Sequence, residues 1–525
     1  MSSRAGALGT SFWRKPSFPH SLIPSFLLSY FPPLLLSSSS RIRHVRPLQT
    51  ATLLVLLLTR LTCDADVTGA ESEVPENARP SILVIYTDDQ RYNTLHSLGN
   101  NEIATPNLDR LVREGTSFTR AHIMGGMHGA LCAPSRAMLM TGRSLFDLQD
   151  SGDIIPEGHI MMPTQFAASG YATFGTGKWH NDRPAFNRAF QFGENIFFGG
   201  MLWPQNGGQE HPWIHHYDPT GAYPDSTKEQ SDIFSSTLFT NAAVDFIRSR
   251  KESDAPFFAY VAYTSPHDPR TPPEPFKSSY VADSISLPAN YLPEHPFDNG
   301  ELKVRDEMLA PHPRTEAIVK SELAAYYGMI SEVDAQIGRL IDALEETGVR
   351  ENTIVVYAGD NGLAVGSHGL MGKQNLYDHS MRIPMVISGP GINRGEQRDA
   401  LVYQYDVFPT LAELVGISVP ATVDGQSLVP VLRRPDATVR DAVFYAYKDL
   451  QRGVRTADDW KIIRYNVDGV DTVQLFNLAD DPNETVNLAG DPDYADRLAQ
   501  MDSLLLVQSK LNHDRIDLSL PNWGK

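Results

Sequence analysis

Short apolar runs alternate with longer segments of helical period along most of this chain. Ile82-Leu83-Val84-Ile85-Tyr86, Tyr171-Ala172-Thr173-Phe174, Pro256 to Tyr263 and Thr353-Ile354-Val355-Val356-Tyr357 are nearly continuous in apolar character. Such runs belong to strands buried on both faces, as in a parallel sheet covered by helices. Arg382 to Ser388 leads into a further strand. Between them the pattern predicts a helix starting at Thr105-Pro106-Asn107 and running to Glu114, another closing between Phe166 and Tyr171, and longer ones over Ser236–Lys251 and Thr315–Thr347. Asp406 is placed to cap a helix over Val407–Val415. From about Asp441 the pattern changes. Ala442–Tyr447, Gly453–Thr456, Trp460–Tyr465 and Thr472–Leu478 read as short strands of an antiparallel sheet, followed by a helix from about Tyr494 to Leu511 and a weakly structured tail. The expected class is α/β: a large, mostly parallel sheet flanked by helices on both faces, with a smaller C-terminal antiparallel sheet plus helix. The expected units are 1–70 as a targeting region with an N-terminal extension, 80–440 as the main α/β domain and 441–525 as a C-terminal α+β subdomain.

Composition narrows the class of partner. The 525 residues are 41% hydrophobic and 21% charged, ordinary for a large globular core. The net charge is −18, and the seven basic residues before Asp64 face no acidic residue, so removing them leaves −25 on the remainder. A surface that acidic argues against nucleic acid as the main partner. An anionic substrate would have to be captured by a local basic site. Arg41, Arg43 and Arg46 precede the apolar run Ala51–Leu58 and the small residues Thr68-Gly69-Ala70, the layout of a secretory signal peptide. That run is short for a bilayer, and no other is long enough to span one stably. The expectation is export to a periplasmic, secreted or lumenal location. Residues 1–40 are either an over-long start or a second targeting element. Cys63 follows Leu61-Thr62, a poor lipoprotein site. Two cysteines allow at most one disulfide, so the redox compartment is not readable from them.

Polar residues cluster just after the apolar runs. Asp88-Asp89 follows the first, Lys178 and His180 the second, His267 the third and Asp360-Asn361 the fourth. Each has an ordinary reading: a solvated turn, a surface lysine, a packed histidine, an Asp-Asn-Gly turn. Jointly they carry more weight, because the carboxyl ends of parallel strands share one edge, where ligands bind. Three carboxylates and an amide oxygen suit a hard divalent cation and not zinc. Prolines 266 and 269 pin His267 in a rigid turn. Asn187 to Thr227 is a loop-rich insertion of the kind that shapes a substrate pocket, and His211, Trp213, His215 and His216 within it read as surface residues.

The most specific stretch is Cys132-Ala-Pro-Ser-Arg-Ala-Met-Leu-Met-Thr-Gly-Arg143. Pro134 fits a first helical turn and Gly142 a helix stop, so Cys132 should sit at a helix N-terminus with Arg136 one turn on, a ready site for an oxyanion. Cys132, Pro134, Ser135, Arg136, Leu139, Thr141 and Gly142 match the signature of the type I sulfatases. Gly177 to His180, Pro266-His267, Gly372-Lys373 and the closing stretch Leu475 to Leu488 resemble further family segments, so the resemblance runs from about Pro80 to Leu511. One departure is Tyr377-Asp378, where relatives often carry Tyr-Glu.

The resemblance implies an alkaline-phosphatase-like fold and hydrolysis of sulfate esters. It implies that Cys132 is oxidised to formylglycine by a formylglycine-generating enzyme, and that the aldehyde hydrate is the nucleophile. The implied metal ligands are Asp88, Asp89, residue 132, Asp360 and Asn361, around one divalent cation, Ca²⁺ in preference to Mg²⁺. The implied catalytic set is Cys132, Arg136, Lys178, His180, His267 and Lys373, with Arg136 and the lysines on the sulfuryl oxygens. A sulfated small molecule or glycan is the expected substrate. A phosphate- or phosphonate-ester hydrolase of the same superfamily is the alternative, and a non-catalytic binding protein for sulfated glycans is the alternative from another class.

Overall fold

The computed structural model describes residues 79–253 and 255–523. The candidate targeting region, with its arginines, the Ala51–Leu58 run and Cys63, lies outside the described residues. Among the described residues no helix is long and apolar enough to cross a membrane.

An eight-stranded sheet runs through the centre in the order Glu396–Arg398, Gly115–Phe118, Met385–Ser388, Thr353–Gly359, Ser81–Asp88, Phe257–Pro266, Ala172–Lys178, Phe192–Phe197. The last five are mutually parallel. Met385–Ser388 pairs antiparallel on both its sides, so the sheet is mixed at that end. Every residue of Ser81–Asp88, Phe257–Pro266 and Thr353–Gly359 is buried, which is why their apolar runs are continuous.

The side chains alternate between two apolar layers. Leu83, Ile85, Val261, Val355 and Tyr357 pack with residues of the helices Pro106–Glu114, Ser235–Ser249 and Glu316–Glu346. Ile82, Val84, Phe258, Tyr260 and Val356 pack in the other layer, with residues of Cys132–Thr141 and Val407–Leu414. Burying each such side chain contributes roughly 1.5–3 kcal/mol. The Glu316–Glu346 helix starts at Thr315, whose hydroxyl accepts the Ile318 N–H.

The C-terminal sheet contains Val470–Asn477, Trp460–Val467, Gln451–Thr456 and Ala442–Tyr447, all antiparallel, with Gly125–Gly126 added parallel to the last. A Cβ at Gly125 would lie 2.0 Å from the Ala446 carbonyl oxygen, so only glycine allows that pairing. The Ala495–Leu511 helix packs on this sheet.

Three expectations are corrected. Asp406 does not cap the Val407–Leu414 helix; a short 3₁₀ turn, Gln404–Asp406, precedes it. Its carboxylate instead accepts from the Tyr403 and Gln426 N–H groups and pairs with Arg440. The tail after Leu511 is packed, because Leu518 and Trp523 are buried and Asp514 forms a fully buried pair with Arg452. The helix expected to close near Phe166–Tyr171 spans Met162–Ala168, and the strand after it continues to Lys178.

Candidate active site

Four parallel strands bring their carboxyl ends to one edge. Ser81–Asp88 ends on Asp88, Ala172–Lys178 on Lys178, Phe257–Pro266 just before His267 and Thr353–Gly359 just before Asp360. Local backbone then aims the side chains. Asp89 and His180 both adopt left-handed backbone, φ 66° and 64°, which turns the chain sharply off the strand. Gly177 has φ 86°, and a Cβ there would lie 1.9 Å from the Ala262 carbonyl oxygen. The register shifts at that point against Phe192–Phe197, and Lys178 just after it is fully buried.

Cys132 opens the Cys132–Thr141 helix, with Pro134 in its first turn and Gly142 in left-handed conformation at its end. The whole helix is buried. Cys132 Sγ lies 2.9 Å from Lys373 Nζ and 3.8 Å from Asp89 Oδ1. Donor atoms of Asp88, Asp89, Cys132 and His267 all lie within 4.8 Å of one another.

The charges interlock. Lys178 Nζ donates to Asp88 Oδ2 at 2.5 Å and to the Gly200 carbonyl at 2.6 Å. Lys373 Nζ donates to Asp89 Oδ1 at 2.5 Å. Arg136 places Nε and Nη2 on Asp360 Oδ2, at 3.1 and 2.8 Å, and Nη1 on the Lys178 carbonyl and the Tyr260 hydroxyl. The guanidinium expected on a substrate oxyanion is paired with Asp360, and both side chains are fully buried. Asp360 Oδ1 accepts the Asp89 N–H. His267 Nδ1 donates to the Asp268 carbonyl, leaving Nε2 3.6 Å from Asp89 Oδ2.

Burial sets the proton affinities. Burial would raise Asp88, but Lys178, His267 and Arg136 hold it well below the usual carboxylate range. Asp360, buried and facing Asp88, is pushed up to about 7. Burial and the Asp88 charge push the Cys132 thiol well up. Burial, then Lys178 and Arg136, push His180 well down, and its Nδ1 is buried without a hydrogen-bond partner. Lys373 would be lowered by burial but is raised by Asp89 and Cys132.

The donor set fits a divalent cation. Asp88 Oδ1 and Asn361 Oδ1 are buried oxygens without a hydrogen-bond partner. Unpartnered buried oxygens beside carboxylates are the environment that a hard cation satisfies. Asn361 Nδ2 donates to Asp89 Oδ1, which turns its oxygen free.

Above the cluster lies a cavity of about 330 Å³, lined by Cys132, His180, His267 and Lys373 together with Trp203, Arg305 and Asp306. Sequence reasoning missed the last three. They lie in the two irregular stretches, 187–227 and 264–313, where no spacing announces a role. Arg305 pairs with Asp268 and Asp306, so it joins the His267 turn to this wall. Glu307 was also missed: its carboxylate accepts the Met371 and Gly372 N–H groups and thereby holds the loop that carries Lys373. His215, read as a surface residue, is buried against Phe198 and Tyr223.

A carboxylate cluster suited to a hard cation, at the carboxyl edge of a mostly parallel sheet and beside a residue at a helix N-terminus, is the arrangement of a metal-assisted α/β enzyme. The profile of the family described as Sulfatase matches residues 80–417, and that described as N-sulphoglucosamine sulphohydrolase, C-terminal, matches residues 366–510. An ulvan-active sulfatase of Formosa agariphila is 28% identical over 89% of this chain and 87% of its own. A solved structure in complex with its substrate D-glucosamine-2-N,6-O-disulfate aligns with TM-score 0.67 and 25% identity over 83% of this chain and 99% of its own. The phosphonate monoester hydrolase of Agrobacterium radiobacter aligns with TM-score 0.67 and 25% identity, over 83% of this chain and 96% of its own. This chain belongs to the sulfatase family and is a sulfuric ester hydrolase.

Proposed function

We propose that this enzyme hydrolyses a sulfate ester of a carbohydrate, that Cys132 is matured to formylglycine, and that one divalent cation, Ca²⁺ in preference to Mg²⁺, completes the site. The observation that carries this reading is the place of Cys132. It stands at a buried helix N-terminus, 2.9 Å from the Lys373 ammonium and on the floor of the cavity. A hydrated formylglycine would supply a nucleophile with two hydroxyls, one to take the sulfuryl group and one to expel it.

Asp88, Asp89, Asp360, Asn361 and residue 132 would hold the cation, which would polarise a sulfuryl oxygen. Lys373 and Lys178 neutralise the charge that develops on the sulfuryl oxygens. Arg136 fixes the orientation of Asp360. His267, its Nδ1 tied to the backbone, offers Nε2 to the departing oxygen, and His180 is the acceptor for a proton from residue 132. The carbohydrate substrate is supported by the named activity of the Formosa relative and by the sugar disulfate bound in the aligned structure. Export is supported by the order of arginines, apolar run and small residues at the N-terminus, and a formylglycine-generating enzyme is the maturation partner. A phosphonate- or phosphate-ester hydrolase is the second reading, favoured by the equal likeness to the phosphonate monoester hydrolase.

The test compares sulfate and phosphate release from matched aryl esters by protein co-expressed with a formylglycine-generating enzyme, with Cys132→Ala as control. Sulfate release is expected to fall on the order of 10⁴-fold or more in the variant. Faster phosphate than sulfate release would establish the second reading, and undiminished turnover by Cys132→Ala would refute the proposed chemistry.

A further inference from the structure

A second cavity, of about 850 Å³, adjoins the catalytic one and shares Gly200, Met201 and Trp203 with it. Its size is that of a site for a whole ligand unit. Two tryptophans line it, Trp203 and Trp213, and they are 45% and 42% exposed. Exposed indoles are unusual on a soluble surface, and two around one concavity mark a recognition site. A flat aromatic face with an N–H at its edge suits the apolar face of a pyranose ring and its hydroxyls.

The walls are built, not loose. Trp213 lies in a short strand paired with Glu229–Gln230, and Ile196 and His215 exchange backbone hydrogen bonds. The Gln230 side chain donates to the Asn206 and His211 carbonyls and closes the turn below Trp203. The Gly200 carbonyl accepts from Lys178 Nζ, so this wall is tied directly to the catalytic edge.

The charged groups of the lining are also engaged. Arg183 and Lys228 both pair with the single carboxylate of Asp225, at 2.9 and 3.0 Å. The other acidic residue of the lining, Asp182, is turned to the backbone N–H groups of Ile155 and Ala185. Two cations and two carboxylates leave the lining electrically balanced, on a chain whose net charge is −18. A neutral, aromatic lining on so acidic a chain suits the uncharged face of a sugar.

We propose that this cavity is a second sugar subsite, which takes the unit next to the sulfated one in an oligosaccharide. The inference rests on the carbohydrate reading above and extends it: the preferred substrate is a chain of at least two sugars, stacked on Trp203 and Trp213.

The experiment measures binding, so it needs no turnover. Full-length Cys132→Ala protein is titrated by calorimetry with mono-, di- and tetrasaccharides from chondroitin 6-sulfate, heparin and carrageenan. In at least one series affinity should rise about tenfold or more from the monosaccharide to a longer chain. Adding Trp213→Ala should cancel that gain, and Trp213→Phe should keep most of it. Equal thermal midpoints establish that the variants are folded. No gain in any series, or a gain that survives Trp213→Ala, overturns the subsite. Sulfate release from aryl esters without a chain-length gain would leave the hydrolase and sink the subsite. A gain cancelled by Trp213→Ala in a protein that releases no sulfate would do the reverse.

Discussion

Lys373 Nζ lies 2.9 Å from Cys132 Sγ while also donating to Asp89 Oδ1. One ammonium thus touches both the residue at the helix N-terminus and a carboxylate of the candidate metal cluster, although 241 positions separate it from the cysteine. Such a group can stabilise charge at residue 132 only while its loop is held, and Glu307 holds that loop through two backbone N–H groups. Lys373→Ala is expected to lower kcat by about 10²–10³-fold, the effect of losing one positioned donor to a developing anion. Steady-state kinetics on an aryl sulfate, with metal content measured in parallel, checks this. A kcat within a few-fold of wild type would remove Lys373 from the chemistry.

The orphaned oxygens Asp88 Oδ1 and Asn361 Oδ1 predict a stabilising cation. Adding Ca²⁺ to chelator-treated protein should raise its thermal midpoint, since a ligand at a hundredfold excess over Kd stabilises by about 2.7 kcal/mol. In Asp88→Asn the rise should be largely lost. An equal rise in both proteins would place the cation elsewhere.

Glu332 lies in the Glu316–Glu346 helix with Oε2 buried and unpartnered, while Oε1 accepts from Gln336. Burial pushes its carboxyl up to about 7. The unfolded chain releases that proton near pH 4.3, roughly the ordinary glutamate value. Between those two values the folded state holds a proton the unfolded state has lost, so stability falls as pH rises and levels off above about 7. Glu332→Gln should remove that loss. Its advantage over wild type in urea unfolding should grow from about pH 5 to about pH 8, to a value on the order of 3 kcal/mol. A difference that stays flat across that window would refute the assignment.

Asp378 is buried between Arg455 and Lys461 of the C-terminal sheet, and Lys461 also pairs with buried Glu484. These pairs join the catalytic-side loop to that sheet. Lys461→Ala leaves two buried carboxylates short of a cation and should destabilise the protein by about 3–5 kcal/mol. A shift below about 1 kcal/mol in a denaturant titration would show that Arg455 and water suffice.

Local pattern determined much of this protein. Strands buried on both faces announce themselves as unbroken apolar runs, so Ser81–Asp88, Phe257–Pro266 and Thr353–Gly359 were legible, as was the long helix from Glu316. The parallel arrangement then implied one shared edge, which is why Asp88, Lys178, His267 and Asp360 could be grouped before any distance was known. The Cys132 helix was legible because Pro134 and Gly142 mark its ends locally. What the tertiary structure decided is what depends on contacts between distant segments. Asp406 reads as a cap from its neighbours alone, but Arg440 and the Gln426 N–H outcompete that role. Arg136 reads as an anion-binding side chain, yet Asp360 takes its guanidinium. The tail reads as loose, yet Arg452 and an apolar pocket bind it down. The cavity walls, Trp203, Trp213 and Arg305 among them, come from irregular loops that have no period, so only folding places them over the site.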